Sequence, residues 1–131
     1  MIEIKYDTPD VESFLRLRQA VNLSPRSREG AEKGLPKSLF AITLYNEGKA
    51  IGMGRVVGDG GCNFEIVDIV VEPNFQGQGL GRRIMENIMN YINKNAPKDA
   101  YISLIADVPE LYEKFGFKRC EPNSFGMFKR I

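Results

Sequence analysis

Histidine and tryptophan are absent from the 131 residues, and cysteine occurs only twice, at Cys62 and Cys120. Without histidine there is no Ser-His-Asp triad, no His-lined metal site and no imidazole base, so acid-base chemistry falls to Asp, Glu, Tyr, Lys, Cys or a terminal amine. Two cysteines far apart in sequence, with no Cys-x-x-Cys pair, supply neither a disulfide scaffold nor a zinc or redox motif. Net charge is nearly absent too: 18 Lys and Arg against 17 Asp and Glu leave +1, so no global field draws the chain to nucleic acid or to a membrane surface. No apolar run approaches the roughly 18 residues of a membrane-spanning helix, and the start MIEIKYDTPD lacks the charged-then-apolar layout of a secretory signal; the expected compartment is the cytoplasm.

What is present is the pattern of one globular domain over residues 1–131. Ile2, Ile4 and Tyr6 alternate as a short first strand, stopped by Thr8-Pro9. Val11, Phe14, Leu15, Leu17 and Val21 recur at helical spacing and predict a helix over 9–21, with a second, exposed helix over 27–33 ended by Gly34 and Pro36. Residues 39–45, 50–57 and 63–71 read as three strands in meander order, joined by turns at Asn46-Glu47-Gly48 and Asp59-Gly60-Gly61. The last of these is almost wholly apolar, which makes its two carboxylates, Glu65 and Asp68, costly unless paired or used. Leu80, Ile84, Met85, Ile88, Met89 and Ile92 mark the core stripe of a long helix. A strand over 101–106, a short helix over 108–115 with Asp107 as its N-cap, and closing strands at 117–119 and 127–129 complete the expectation.

Between the buried strand and the long helix lies Gln76-Gly77-Gln78-Gly79-Leu80-Gly81-Arg82. Glycines at alternate positions expose the backbone, and unpaired N–H groups at a helix start, reinforced by the helix dipole, suit a phosphate or pyrophosphate. The spacing lacks the Gly-Lys-Ser/Thr of a Walker loop. Read from Gly77, it also fails G-x-G-x-x-G, whose last position is held by Arg82. Tight strand-helix packing is the alternative use of such glycines.

This segment is similar to Gln/Arg-x-x-Gly-x-Gly/Ala, the acyl-CoA loop of the GNAT superfamily of N-acetyltransferases. Leu111-Tyr112-Glu113-Lys114-Phe115-Gly116-Phe117 resembles the family's Tyr-x-Lys-x-Gly-Phe segment, in the right order and spacing. The resemblance covers essentially the whole chain. It implies an α/β fold with a mixed, twisted sheet flanked by helices, whose fourth and fifth strands splay apart. It further implies acetyl-CoA or coenzyme A as co-substrate without a metal. The backbone amides from Gln78 through Gly79, Leu80 and Gly81 to Arg82 would hold the pyrophosphate, with Gln76 and Gly77 opening the cofactor-binding loop. A bulged fourth strand would offer the backbone of Ile69, Val70 and Val71 to the pantetheine arm.

Acetyl transfer to an amine needs a base, a proton donor for the departing thiolate and an oxyanion donor. Neutralising a lysine-like amine of pKa about 10.4 at pH 7 costs roughly 4.6 kcal/mol. Glu65 and Asp68 are the candidate bases: Glu65 by resemblance to a strand-four glutamate used by some members, Asp68 by its deeper place in the apolar run. Alternation points them to opposite faces unless a bulge intervenes. Tyr112 matches the family's tyrosine, a phenol able to protonate a thiolate without being ionised itself. A strand-four amide near Val71 is the expected oxyanion donor.

The implied reaction is direct acetyl transfer to a primary amine of a small molecule or peptide in a ternary complex, with residues 22–36 and 121–127 around the acceptor. A non-catalytic acyl-CoA-binding module and a transferase of longer acyl groups are the alternatives. Phe125, Met127 and Phe128, with the edge of the last strand, are a candidate homodimer surface.

Overall fold

The structure, a computed structural model, describes all residues from Met1 to Ile131. In chain order the elements are β1 (Ile2–Lys5), α1 (Val11–Ala20), α2 (Arg28–Gly34), β2 (Phe40–Asn46), β3 (Lys49–Gly58), β4 (Asn63–Val71), α3 (Leu80–Asn95), β5 (Tyr101–Leu104) and α4 (Pro109–Glu113). Short 3-10 turns at Leu35–Lys37 and Pro73–Phe75 lead into β2 and out of β4. The strands form one open mixed sheet in sequential order, antiparallel from β1 to β4, with β5 added parallel to β4 after the crossover through α3.

Helices cover both sheet faces because both carry apolar stripes. Leu80, Ile84, Met85, Ile88 and Ile92 of α3, spaced at helical period, lock onto Ile42, Leu44, Phe64 and Ile66. Gly54 allows this close approach: a Cβ there would lie 2.7 Å from Ile69 Cδ1 and from Ile84 Cγ2. On the opposite face Phe14 and Leu17 of α1 and Ala31 of α2 pack with Met53 and Val70. Asp10 starts α1 by accepting from the Ser13 amide at 3.1 Å and the Ser13 hydroxyl at 2.7 Å. The Ser13 hydroxyl bond is the main reason that its carboxyl titrates below the ordinary aspartate value. No helix is long and apolar enough to cross a membrane.

The meander and the long helix form where periodicity placed them, but the C-terminal quarter differs. Residues 117–119 and 127–129 form no strands, and β5 ends at Leu104 rather than Ala106. Only Phe117 of residues 117–131 is partly buried, so the apolar residues of that stretch find no buried face to pack on. The outer edge of β5 is therefore free, and the edge-strand argument for a homodimer loses its strand. Helix α4 is five residues long and starts after Val108, with no side chain capping it; Asp107 stands one residue too early to do so.

Candidate active site

Strand β4 builds the site through one irregularity. Arg55 lies opposite Val67 and Met53 opposite Val70, so Gly54 alone faces two residues, Asp68 and Ile69. This is a bulge, and Asp68 absorbs it at φ 60°, a left-handed conformation that Asp tolerates better than most residues. Phe64 and Ile66 face α3, so alternation turns Glu65 and Val67 to the α1 face. Without the bulge Asp68 would return to the α3 face. With it, Asp68 reaches Arg18 of α1, and Glu65 and Asp68 share one side of the sheet.

Their chemistry differs sharply. The Asp68 side chain is only 5% exposed, and each oxygen is held by a guanidinium: Oδ1 by Arg18 Nη1, Oδ2 by Arg55 Nε at 2.6 Å. Arg55 Nη1 continues to Ser38 Oγ at 3.1 Å, and Arg18 donates from Nε and Nη2 to the Ser24 carbonyl at 3.2 and 2.7 Å. Both guanidiniums lie within 6 Å of the Phe14 ring centre, at 5.9 and 5.8 Å. Burial lowers the Arg18 pKa from its ordinary value, and the adjacent Asp68 opposes that shift. The cost of burying Asp68 is thus offset by two cations, one on each oxygen. Glu65 is half-buried, lines the cleft and makes no hydrogen bond or ion pair with the protein.

The parallel pairing of β4 and β5 stops at Ile66 opposite Leu104, while β4 runs on to Val71. Beyond that point the β5 side of β4 has no neighbour. The Glu72 amide donates to Ile51 O of β3 at 2.8 Å, so by alternation Val71 and Ile69 direct their N–H and C=O groups to the open edge, and Val70 to β3. The Val71 carbonyl accepts from Gln76 Nε2 at 2.9 Å, which folds the start of the glycine loop back over the strand end.

In that loop Gly77 and Gly79 adopt φ of 82° and 80°, the region where only glycine is unstrained, and a Cβ on either would meet no atom within 4 Å. Leu80 is buried and anchors the helix start. The first α3 hydrogen bond runs from Arg83 N to Gly79 O at 3.1 Å. No protein acceptor engages any N–H from Gly77 through Arg82. Six successive donors at the positive end of a 16-residue helix make an anion cradle for which the chain itself provides no anion. The side chains of Gln78 and Arg82 are exposed and lie outside the cleft lining, with Arg82 directed 3.9 Å from Glu86, so only their amides belong to the cradle.

Loop, bulge and splayed strands enclose a cleft of about 1350 Å³. Across it from β4 stands Tyr112 on α4, half-buried, its hydroxyl unbonded to protein. Burial, and secondarily the charge of Asp107, raise its pKa above the ordinary phenol value, so the group is a neutral donor at neutral pH. The cleft thus brings together Glu65, Asp68, Ile69, Val70, Val71, Gln76, Gly77, Gly79, Leu80, Gly81 and Tyr112. Of the two segments expected around the acceptor, 22–36 lines the cleft from Asn22 to Ser27, Ser24 and Arg26 included, whereas none of 121–127 does and the tail from Phe128 to Ile131 lines it instead; sequence reasoning missed Arg18. Arg18 did carry a signal: it sits four residues after Phe14 on the apolar face of α1, where a charge demands a partner.

An open mixed sheet parted at its fourth and fifth strands, with a glycine cradle at the mouth of the gap, defines the GNAT acetyltransferase class. The Acetyltransferase (GNAT) domain family matches residues 37–119, and the chain belongs to it. Over the full length of both chains it superposes, at TM-score 0.96 and 50% identity, on the crystal structure of a "Probable Acetyltransferase" of unknown function from meticillin-resistant Staphylococcus aureus. It is 31% identical over 117 residues to an uncharacterized N-acetyltransferase, ycf52, of Pyropia yezoensis, covering 86% of this chain and 67% of that one. To the chloroplastic GCN5-related N-acetyltransferase 2 of Arabidopsis thaliana it is 37% identical over 84 residues, 63% of this chain. The chain spans about a third (32%) of the length of that relative.

Proposed function

We propose that the protein is an acetyl-CoA-dependent N-acetyltransferase acting on a primary amine by direct attack in a ternary complex. The observation that carries this reading is the run of six unengaged N–H groups from Gly77 to Arg82, opening onto a gap where β4 has no neighbouring strand on its β5 side beyond Ile66. The diphosphate of coenzyme A fits the cradle, and the amide-rich pantetheine arm fits the free backbone groups of Ile69 and the free N–H of Val71 as a surrogate strand. The thioester then points toward Glu65 and Tyr112.

Glu65, with both oxygens free, takes the amine proton directly or through one water. The amine nitrogen forms a C–N bond to the thioester carbonyl, and the Val71 N–H faces the position of the developing oxyanion. As the C–S bond breaks, Tyr112 donates its proton to the sulfur, yielding free coenzyme A and the N-acetylated product. Asp68 is a positioning residue here: it holds the bulge that turns the Val71 amide outward. A homodimer would rest on the exposed Phe125, Met127 and Phe128, and light scattering reads it directly.

Calorimetric titration with acetyl-CoA, followed by thiol release in the presence of an amine panel, tests the reading. Saturable binding together with amine-dependent thiol release supports it. Binding without turnover on any amine leaves an acyl-CoA-binding module, and no heat at millimolar acetyl-CoA overturns the assignment altogether. Propionyl- and succinyl-CoA in the same assay decide the acyl length.

A further inference from the structure

The α1–α2 wall of the cleft carries more positive charge than its partners neutralise. Arg18 and Arg26 converge on a single residue: Arg18 donates to the Ser24 carbonyl, and Arg26 Nη1 donates to Ser24 Oγ at 2.8 Å. Arg18 and Arg55 together take up the carboxylate of Asp68, which leaves none of it for Arg26. Arg26 has no acidic partner; its other bonds go to the carbonyls of Ser24 at 3.4 Å and Pro25 at 3.2 Å, both through the same Nη1. Its Nε and Nη2 donors are free on an exposed side chain at the cleft wall. Like charges held together in this way repel, and the charge of Arg26 contributes to lowering the Arg18 pKa. On the same sheet face stands Glu65, the unpaired carboxylate of the cleft floor. The cleft also receives Lys129, Arg130 and the terminal Ile131 from the tail, and Asp107 beside Tyr112.

Resting on the acetyltransferase reading above, we infer that the acceptor is an amine that also bears an anionic group, a carboxylate or a phosphate. Its amine lies toward Glu65, and its anion completes the half-paired arginine cluster at Arg26. A planar guanidinium with two free donors takes either anion in forked geometry, so carboxylate and phosphate share the chemistry. A neutral or dicationic amine would leave Arg26 without a counter-charge.

The test pairs amines that differ only in the anion: 4-aminobutyrate against butylamine and 1,4-diaminobutane, and phosphoethanolamine against ethanolamine. Thiol release is read at fixed acetyl-CoA. In parallel, CoA-loaded protein is titrated calorimetrically with the same amines, which reads selectivity without turnover. The expected result is an anionic member favoured by about tenfold or more in kcat/KM and in affinity, as a charge-assisted hydrogen-bond pair supplies. The two pairs separate carboxylate from phosphate. Arg26→Ala should erase the preference by raising KM with kcat and acetyl-CoA affinity unchanged, Arg26→Lys should restore part of it, and Arg26→Glu should shift it to the diamine. Equal response to anionic and neutral amines, preference for the diamine by the native protein, or no binding of any anionic amine to the CoA-loaded protein overturns the inference. In all three cases an intact acetyl-CoA isotherm leaves the acetyltransferase reading standing, whereas loss of that isotherm is the failure of the reading itself.

Discussion

The two walls of the cleft are built on different principles. The β4 wall is over-determined: Ile66 and Val70 are buried on opposite faces, Asp68 is clamped by two arginines, and Leu80 pins the glycine loop to the core. The facing wall, from Ile105 through α4 to the tail, is made of short or irregular segments whose apolar residues Ile105, Val108, Phe125, Met127 and Phe128 are largely exposed. One wall fixes backbone groups to within the tolerance of packed side chains; the other supplies Tyr112 from a helix of five residues. Precision is needed where main-chain donors hold a ligand, because a backbone amide cannot adjust by changing rotamer. A phenol on a short helix can.

The sharpest break of this contrast is Asp68→Ala. It strands two largely buried guanidiniums and removes the residue that absorbs the bulge, so a loss of about 3–5 kcal/mol is expected in urea unfolding. A change within 1 kcal/mol, flagged by an unaltered midpoint, would mean that the β4 wall is not held by its ion pairs.

Tyr112→Phe addresses the other wall. Thiol release should slow about a hundredfold, roughly 2.7 kcal/mol of barrier, with acetyl-CoA affinity and melting temperature unchanged. The pH profile carries its own sign. Because burial raises the Tyr112 pKa above the ordinary phenol value, the donor stays protonated throughout neutral and mildly alkaline pH, and activity should climb as the amine deprotonates. An alkaline fall is expected only above the ordinary tyrosine value, and it should vanish in the phenylalanine variant.

Gly79→Ala probes the loop between the walls. A Cβ meets no neighbour there, so the penalty is the left-handed conformation alone, about 1–2 kcal/mol, read as roughly tenfold weaker acetyl-CoA binding or as lost stability. Smallest of all is Phe128→Ser in the tail: with the ring 85% exposed, stability should move by no more than about 0.5 kcal/mol.

Legibility in the sequence followed the same division. The meander, the 16-residue helix and the glycine loop were readable because each rests on a local rule: alternation, helical spacing, and glycine's tolerance of φ near 80°. The closing strands were not, because a strand is a pairing, and residues 117–131 make none although the outer edge of β5 stands open. Nor was the fate of the two carboxylates legible. Glu65 and Asp68 lie three residues apart in one apolar run, and alternation alone assigns them to opposite faces.

By itself, then, the chain's order of residues determined which backbone would be bare at the start of α3 and which side chains could do acid-base chemistry, since both are properties of residue type and near neighbours. Only the folded arrangement decided that Gly54 would face two residues of β4, that Asp68 would turn over to meet Arg18 and Arg55, and that Glu65 would remain free. A one-residue mismatch between strands is set by what packs on either side of the sheet, and that packing joins residues dozens of positions apart.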